Sequence, residues 1–157
     1  MEIDVLVDDE FLDCIEVKWV KRIVRQVLNS QNVTTKVEIS IFITGLTKVQ
    51  ELNRNYRNED RPTDVLAFAT TEGVGEDTHK FILPPDRILH LGEVIIAYPQ
   101  AVIQAKNNRH SVKRETAILI IHGVLHVLGY DHDNTLRELE MRAKEKEILG
   151  YFQKGLK

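Results

Sequence analysis

The 157-residue chain predicts a single small domain of the α/β or α+β class, a sheet of about four strands packed by about five helices. Three observations carry this. The length suits one ordinary domain, and 43% hydrophobic residues supply a core. Apolar runs of strand length alternate along the chain with segments whose apolar residues recur at helical spacing. No repeat, low-complexity tract or linker interrupts the pattern, so residues 1–157 are taken as one domain.

Taken in order, residues 3–7 (IDVLV) are β-branched and partly alternating, a strand. Trp19, Ile23, Val24 and Val27 then recur at helical spacing, which predicts an amphipathic helix over about 15–29 with Lys18, Lys21, Arg22 and Arg25 in water. Val37 to Thr44 (VEISIFIT) reads as a strand. Thr47 and Gln50 form a capping-box pattern that opens a helix to about Asn55. Val65 to Phe68 is a short strand, 70–87 a loop with two Gly and two Pro, and Leu89 to Tyr98 another strand. Pro99 suits a first helical turn, giving a short helix over 99–108. Ser111 can cap the next helix, and Thr135 with Glu138 opens a charged last helix that ends near Leu149.

The segment HGVLHVLGYDH carries the chemistry. His122 and His126 are spaced i, i+4, so on a helix both imidazoles leave one face, a turn apart. Gly129 allows the helix to stop with φ above zero, and the chain can then return His132 towards the pair. Three neutral nitrogens on one point describe a transition-metal site with a coordination position left open. Zinc suits three imidazoles best, with nickel, copper or iron as alternatives. The surrounding residues, Ala117 to Ile121 with Val124, Leu125, Val127 and Leu128, make this a buried helix. Unpaired imidazoles there would be costly without a ligand. The spacing is also that of metzincin proteases, which place a Glu directly after the first His; here that position is Gly123, which moves no proton.

Composition narrows the function further. The net charge is −3, from 21 Lys and Arg against 24 Asp and Glu, so any nucleic-acid contact rests on a local patch rather than the overall field. Lys106, Arg109, Lys113 and Arg114, with His110 among them, offer such a patch. Cys14 is the single cysteine, which rules out an internal disulfide and a thiolate-rich metal site and suits a reducing cytoplasm. The acidic start MEIDVLVDDE does not read as a signal peptide, and no apolar run reaches membrane-spanning length. A phosphodiester substrate would need a cation to grip phosphate oxygens, and Arg54, Arg57 and Arg61 are all placed to supply one. Thr63 and Asp64 read as turn or cap residues. Glu93, within a strand, is expected at a sheet edge or aimed at the site, with the edge favoured. Asp131 either orients a neighbouring histidine or caps the last helix, and Tyr130 reads as packing.

These residues resemble the YbeY family of metal-dependent endoribonucleases. HGVLHVLGYDH is similar to the family's HG-x-LHL-x-GYDH, with Val127 for Leu; LNRNYRNEDRPTDVLAFAT is similar to LN-x-x-YR…PT-D/N-VLSFP, with Ala67 for Ser and Ala69 for Pro; and LGEV, with Glu93 for Asp, is similar to LGDI. The blocks occur in family order across about half the chain. The resemblance implies an α+β fold with a small mixed sheet, zinc on His122, His126 and His132, and Arg57 as the functional arginine. It implies single-strand-specific RNA cleavage in 3′-end maturation of small-subunit (16S) rRNA and in ribosome quality control. On the same basis RNA, ribosomal small-subunit proteins and an assembly GTPase are the expected partners. Two rivals remain: a non-catalytic ribosome-assembly factor with a zinc site, and a metallopeptidase, which the missing Glu disfavours.

Overall fold

Runs in which β-branched residues alternate with polar ones settle on a pleated surface that is buried on one face and half-covered on the other. Four apolar-rich runs of strand length form one sheet in the computed structural model, which describes residues 1–33, 36–57, 64–70, 88–130 and 135–152, with residues 56 and 57 described in backbone only. The strands are β1 (Glu2–Val7), β2 (Val37–Thr44), β3 (Val65–Ala69) and β4 (Leu89–Ala97). Their order across the sheet is β1-β2-β4-β3. β1, β2 and β4 run parallel, and β3 lies antiparallel to β4. Among the described residues there are five helices, α1 (Val17–Ser30), α2 (Leu46–Arg57), α3 (Tyr98–Asn107), α4 (Val112–Val127) and α5 (Thr135–Gly150), with a 3₁₀ turn at Asp9–Phe11. A mixed four-stranded sheet with five helices is the α+β arrangement the family resemblance implies, and the element order matches the one expected.

Period-two alternation divides the core. Ile39, Ile41 and Ile43 of β2, Ala67 of β3, and Val94 and Ile96 of β4 join one cluster with the apolar faces of α1 and α4. Leu66 of β3 and Ile95 and Ala97 of β4 point the other way, with Val49 of α2. α1 buries Trp19, Val20, Ile23, Val24, Val27 and Leu28, while Lys18, Arg22 and Arg25 stay exposed as expected and Lys21 is half-buried. α4 is the central helix, touching the sheet, α1, α3 and α5. No helix among the described residues is long and apolar enough to cross a membrane.

Two expectations change. α2 begins at Leu46, with the Val49 amide donating to the Gly45 carbonyl at 3.2 Å, so Thr47 lies inside the first turn and does not cap it. Glu93 is not on an edge strand: β4 is interior, and Glu93 is paired with Ser40 on one side and Phe68 on the other. It shares the parity of Ile95 and Phe68, which places its exposed side chain on the α2 face, away from α4. Arg61, Thr63 and the 71–87 part of the expected loop lie outside the described residues.

Candidate metal and catalytic site

The helix carrying the histidines is fixed at both ends. At its start, the Ser111 Oγ accepts from the Arg114 amide at 3.0 Å, the cap expected from the sequence. At its end, the Gly129 amide donates to the His126 carbonyl at 3.0 Å and the Tyr130 amide to the Leu125 carbonyl at 3.1 Å. These two bonds are the Schellman pattern, and it needs a left-handed residue: Gly129 has φ of +107°. Nothing lies within 4 Å of where a Cβ on Gly129 would stand, so the demand for glycine is purely conformational. Gly129→Val is therefore expected to destabilise the fold by about 1–2 kcal/mol, with Asn the best-tolerated replacement, as urea unfolding would show. Beyond this stop, the Tyr130 hydroxyl donates to Gln31 Oε1 at 2.6 Å, at the end of α1, while its ring packs against the core. Tyr130 is thus a packing and docking residue, as expected.

His122 and His126 both fall on the partly exposed stripe of an otherwise buried helix. His122 Nδ1 lies 2.6 Å from Glu145 Oε1 of α5, and both side chains are about a quarter to a third exposed, at 32% and 23%. Beside this pair is a cavity of about 260 Å³ lined by His122, Glu138, Met141, Arg142 and Glu145. Arg142 Nη2 donates to Glu138 Oε1 at 2.7 Å across its rim. The middle of α5 therefore forms one wall of this cavity, which the histidine spacing alone did not reveal. A signal for it existed. Met141 and Ile148 are buried on α5, and Glu145 lies four residues after one and three before the other, a carboxylate in the apolar stripe.

A side chain at Gly123 would collide with the sheet. A Cβ there would stand 2.5 Å from Val94 Cγ1 and 3.3 Å from Val65 Cγ2, because α4 lies directly on β3 and β4 at this point. The position that holds the proton-transferring Glu of a metzincin is here a helix–sheet contact.

Not every expected site residue is placed. Among the described residues no three His, Cys, Asp or Glu side chains gather as a metal-binding group. His132, the expected third ligand, and Asp131 lie outside those residues, and of Arg57 only the backbone, at the end of α2, is described. The cationic patch sits at the opposite end of α4 from the histidine pair. Arg114 precedes His122 by about 12 Å along the helix axis. Within that patch, Lys113 Nζ stands 5.3 Å from the Trp19 ring centroid. His110 contacts the buried Glu115 at 2.5 Å, whose other oxygen accepts from Gln104 at 2.9 Å. Lys106 and Arg109 are exposed.

A model of the family described as Endoribonuclease YbeY matches residues 9–153. The chain belongs to the YbeY endoribonuclease family. Curated YbeY relatives extend along almost the whole chain. Endoribonuclease YbeY of Dehalococcoides mccartyi strain BAV1 is 45% identical over 148 residues, covering 92% of this chain and 92% of the relative. That of Roseiflexus castenholzii is 44% identical over 149 residues, covering 94% and 91%. That of Geobacillus kaustophilus is 35% identical over 152 residues, covering 97% and 96%. The solution structure of TM1509 from Thermotoga maritima shares the fold, with a TM-score of 0.60 at 20% identity over 98% of this chain and 93% of that one. Membership of the YbeY family makes the chain a hydrolase of the endoribonuclease class.

Proposed function

We propose that this chain is a zinc-dependent, single-strand-specific endoribonuclease that matures the 3′ end of small-subunit rRNA and acts in ribosome quality control. Residues 1–157 form one catalytic domain, working in the cytoplasm. Ribosomal small-subunit proteins and an assembly GTPase are its partners. The observation that carries the reading is the histidine pair of α4, held on a helix capped at both ends and joined at His122 to a carboxylate.

The donor set fits zinc. Two imidazoles one turn apart on a half-buried face, with one His122 ring nitrogen beside a carboxylate, are borderline-soft nitrogen donors. His122, His126 and His132 would hold the ion, which when bound supplies a Lewis acid at neutral pH. Arg57 grips the phosphate oxygens with its guanidinium fork. Gly123 admits no carboxylate, so the chain lacks the proton-transferring group that peptide hydrolysis on this histidine spacing employs.

The test is zinc content by mass spectrometry together with cleavage of a single-stranded rRNA precursor by wild type, His126→Ala and Arg57→Ala. The expected result is about one zinc per chain in wild type, zinc retained in Arg57→Ala, and cleavage lost in both variants. A folded His126→Ala protein that cleaves as wild type does would reject this mechanism, and one that supports ribosome assembly without any wild-type cleavage would favour a binding factor. Sequencing the product ends separates two routes: a 5′-phosphate with a 3′-hydroxyl if water attacks, a cyclic 2′,3′-phosphate if the ribose 2′-hydroxyl does.

A further inference from the structure

Glu145 stands in a helix crowded with charge. Its neighbours are engaged along the helix surface: Arg142 with Glu138 at 2.7 Å, Lys144 with Glu147 at 3.6 Å. Glu145 instead reaches off its own helix to an imidazole on α4, in a short 2.6 Å contact. It does so from the apolar stripe between Met141 and Ile148, both buried, so packing fixes where its backbone stands. It also lines the cavity that His122 faces.

We propose that Glu145 is the residue that positions His122 for metal binding. An Nδ1–H donating to the carboxylate makes Nε2 the lone-pair nitrogen and directs the ring. The contact also clamps α5 against α4, so the last helix becomes part of the metal site and not only a lid on the core. This inference rests on the zinc reading above and adds to it a residue outside the histidine motif.

The experiment measures zinc affinity by competition with a fluorescent chelator, on full-length wild type, Glu145→Ala, Glu145→Gln and His126→Ala, with the melting temperature of each metal-free protein. Glu145→Ala is expected to bind zinc about 10- to 100-fold more weakly. Glu145→Gln keeps an acceptor and loses the charge, and is expected to fall between, at about three- to tenfold. Wild-type affinity in both variants overturns the proposal. If Glu145→Ala does not fold, wild-type affinity in Glu145→Gln overturns it alone. A lowered metal-free melting temperature with unchanged affinity also overturns it, because the carboxylate would then be only a strut between helices. Failure of the zinc reading looks different: wild type and His126→Ala would bind zinc alike. Tight wild type, weak His126→Ala and unchanged Glu145 variants reject the role of Glu145 and leave the zinc site standing.

Discussion

His126→Ala is expected to lower RNA cleavage by about 100-fold or more and to weaken zinc binding at least as much, since the loss of an outer partner of a ligand alone costs 10- to 100-fold. The fold should survive the change. His126 is on the partly exposed stripe of α4, and alanine is the best helix former, so the helix gains slightly from the substitution. The apolar contacts that hold α4 come from other residues: Leu119, Ile120, Ile121, Val124 and Leu125 are all buried in the main cluster. Circular dichroism and urea unfolding of the metal-free proteins should therefore nearly superimpose, while chelator competition and a single-turnover cleavage assay separate them. That combination distinguishes a removed ligand from a damaged fold. Cleavage within a few-fold of wild type, in a protein that melts normally, would mean that His126 is not part of the site.

Much of this was legible from residues alone, for physical reasons that differ by element. β2 was exact because VEISIFIT alternates at first and then runs apolar, rich in β-branched residues, and Gly45 follows it. α4 was legible at both ends because its punctuation is chemical: a serine that caps and a glycine that accepts positive φ. α2 slipped at its start because a Thr–Gln pair three apart resembles a cap even when the helix has already begun at Leu46. Glu93 was misplaced for another reason. A carboxylate in a strand reads as an edge residue, yet strand order is a tertiary property, and β3 closes against β4 from outside it. The side chain of Glu93 stays exposed on its face of the sheet. At the site, spacing revealed the two histidines on one helix. The partner of His122 was hidden because Glu145 lies 23 residues further on, on another helix. The imidazole of His122 is therefore not left unpaired on the buried helix, because its Nδ1 lies against a protein carboxylate.

Gly123 gives the sharpest stability prediction, because two effects of opposite sign meet at one atom. In an exposed helix interior, Gly→Ala stabilises by about 1 kcal/mol. Here the added methyl would stand 2.5 Å from Val94 Cγ1, and Val94 is wholly buried in the central strand with a stiff, branched side chain. Overpacking of this kind costs about 1–3 kcal/mol, so Gly123→Ala should destabilise, reversing the sign its helix propensity dictates. The cause can be isolated with Val94→Ala. That change alone opens a cavity and is itself destabilising, but in combination it removes the methyl group that blocks the new one. The double variant should then be more stable than the sum of the single effects by about 1 kcal/mol or more, read from urea midpoints at constant slope. Additive effects would show that α4 can shift off the sheet without cost. Gly123→Glu goes further, since it forces a charged group into the contact between α4 and β4, and that protein is expected not to fold. The spacing shared with metallopeptidases thus ends at the histidines: in this fold the residue after the first of them is held to glycine by the sheet beneath it.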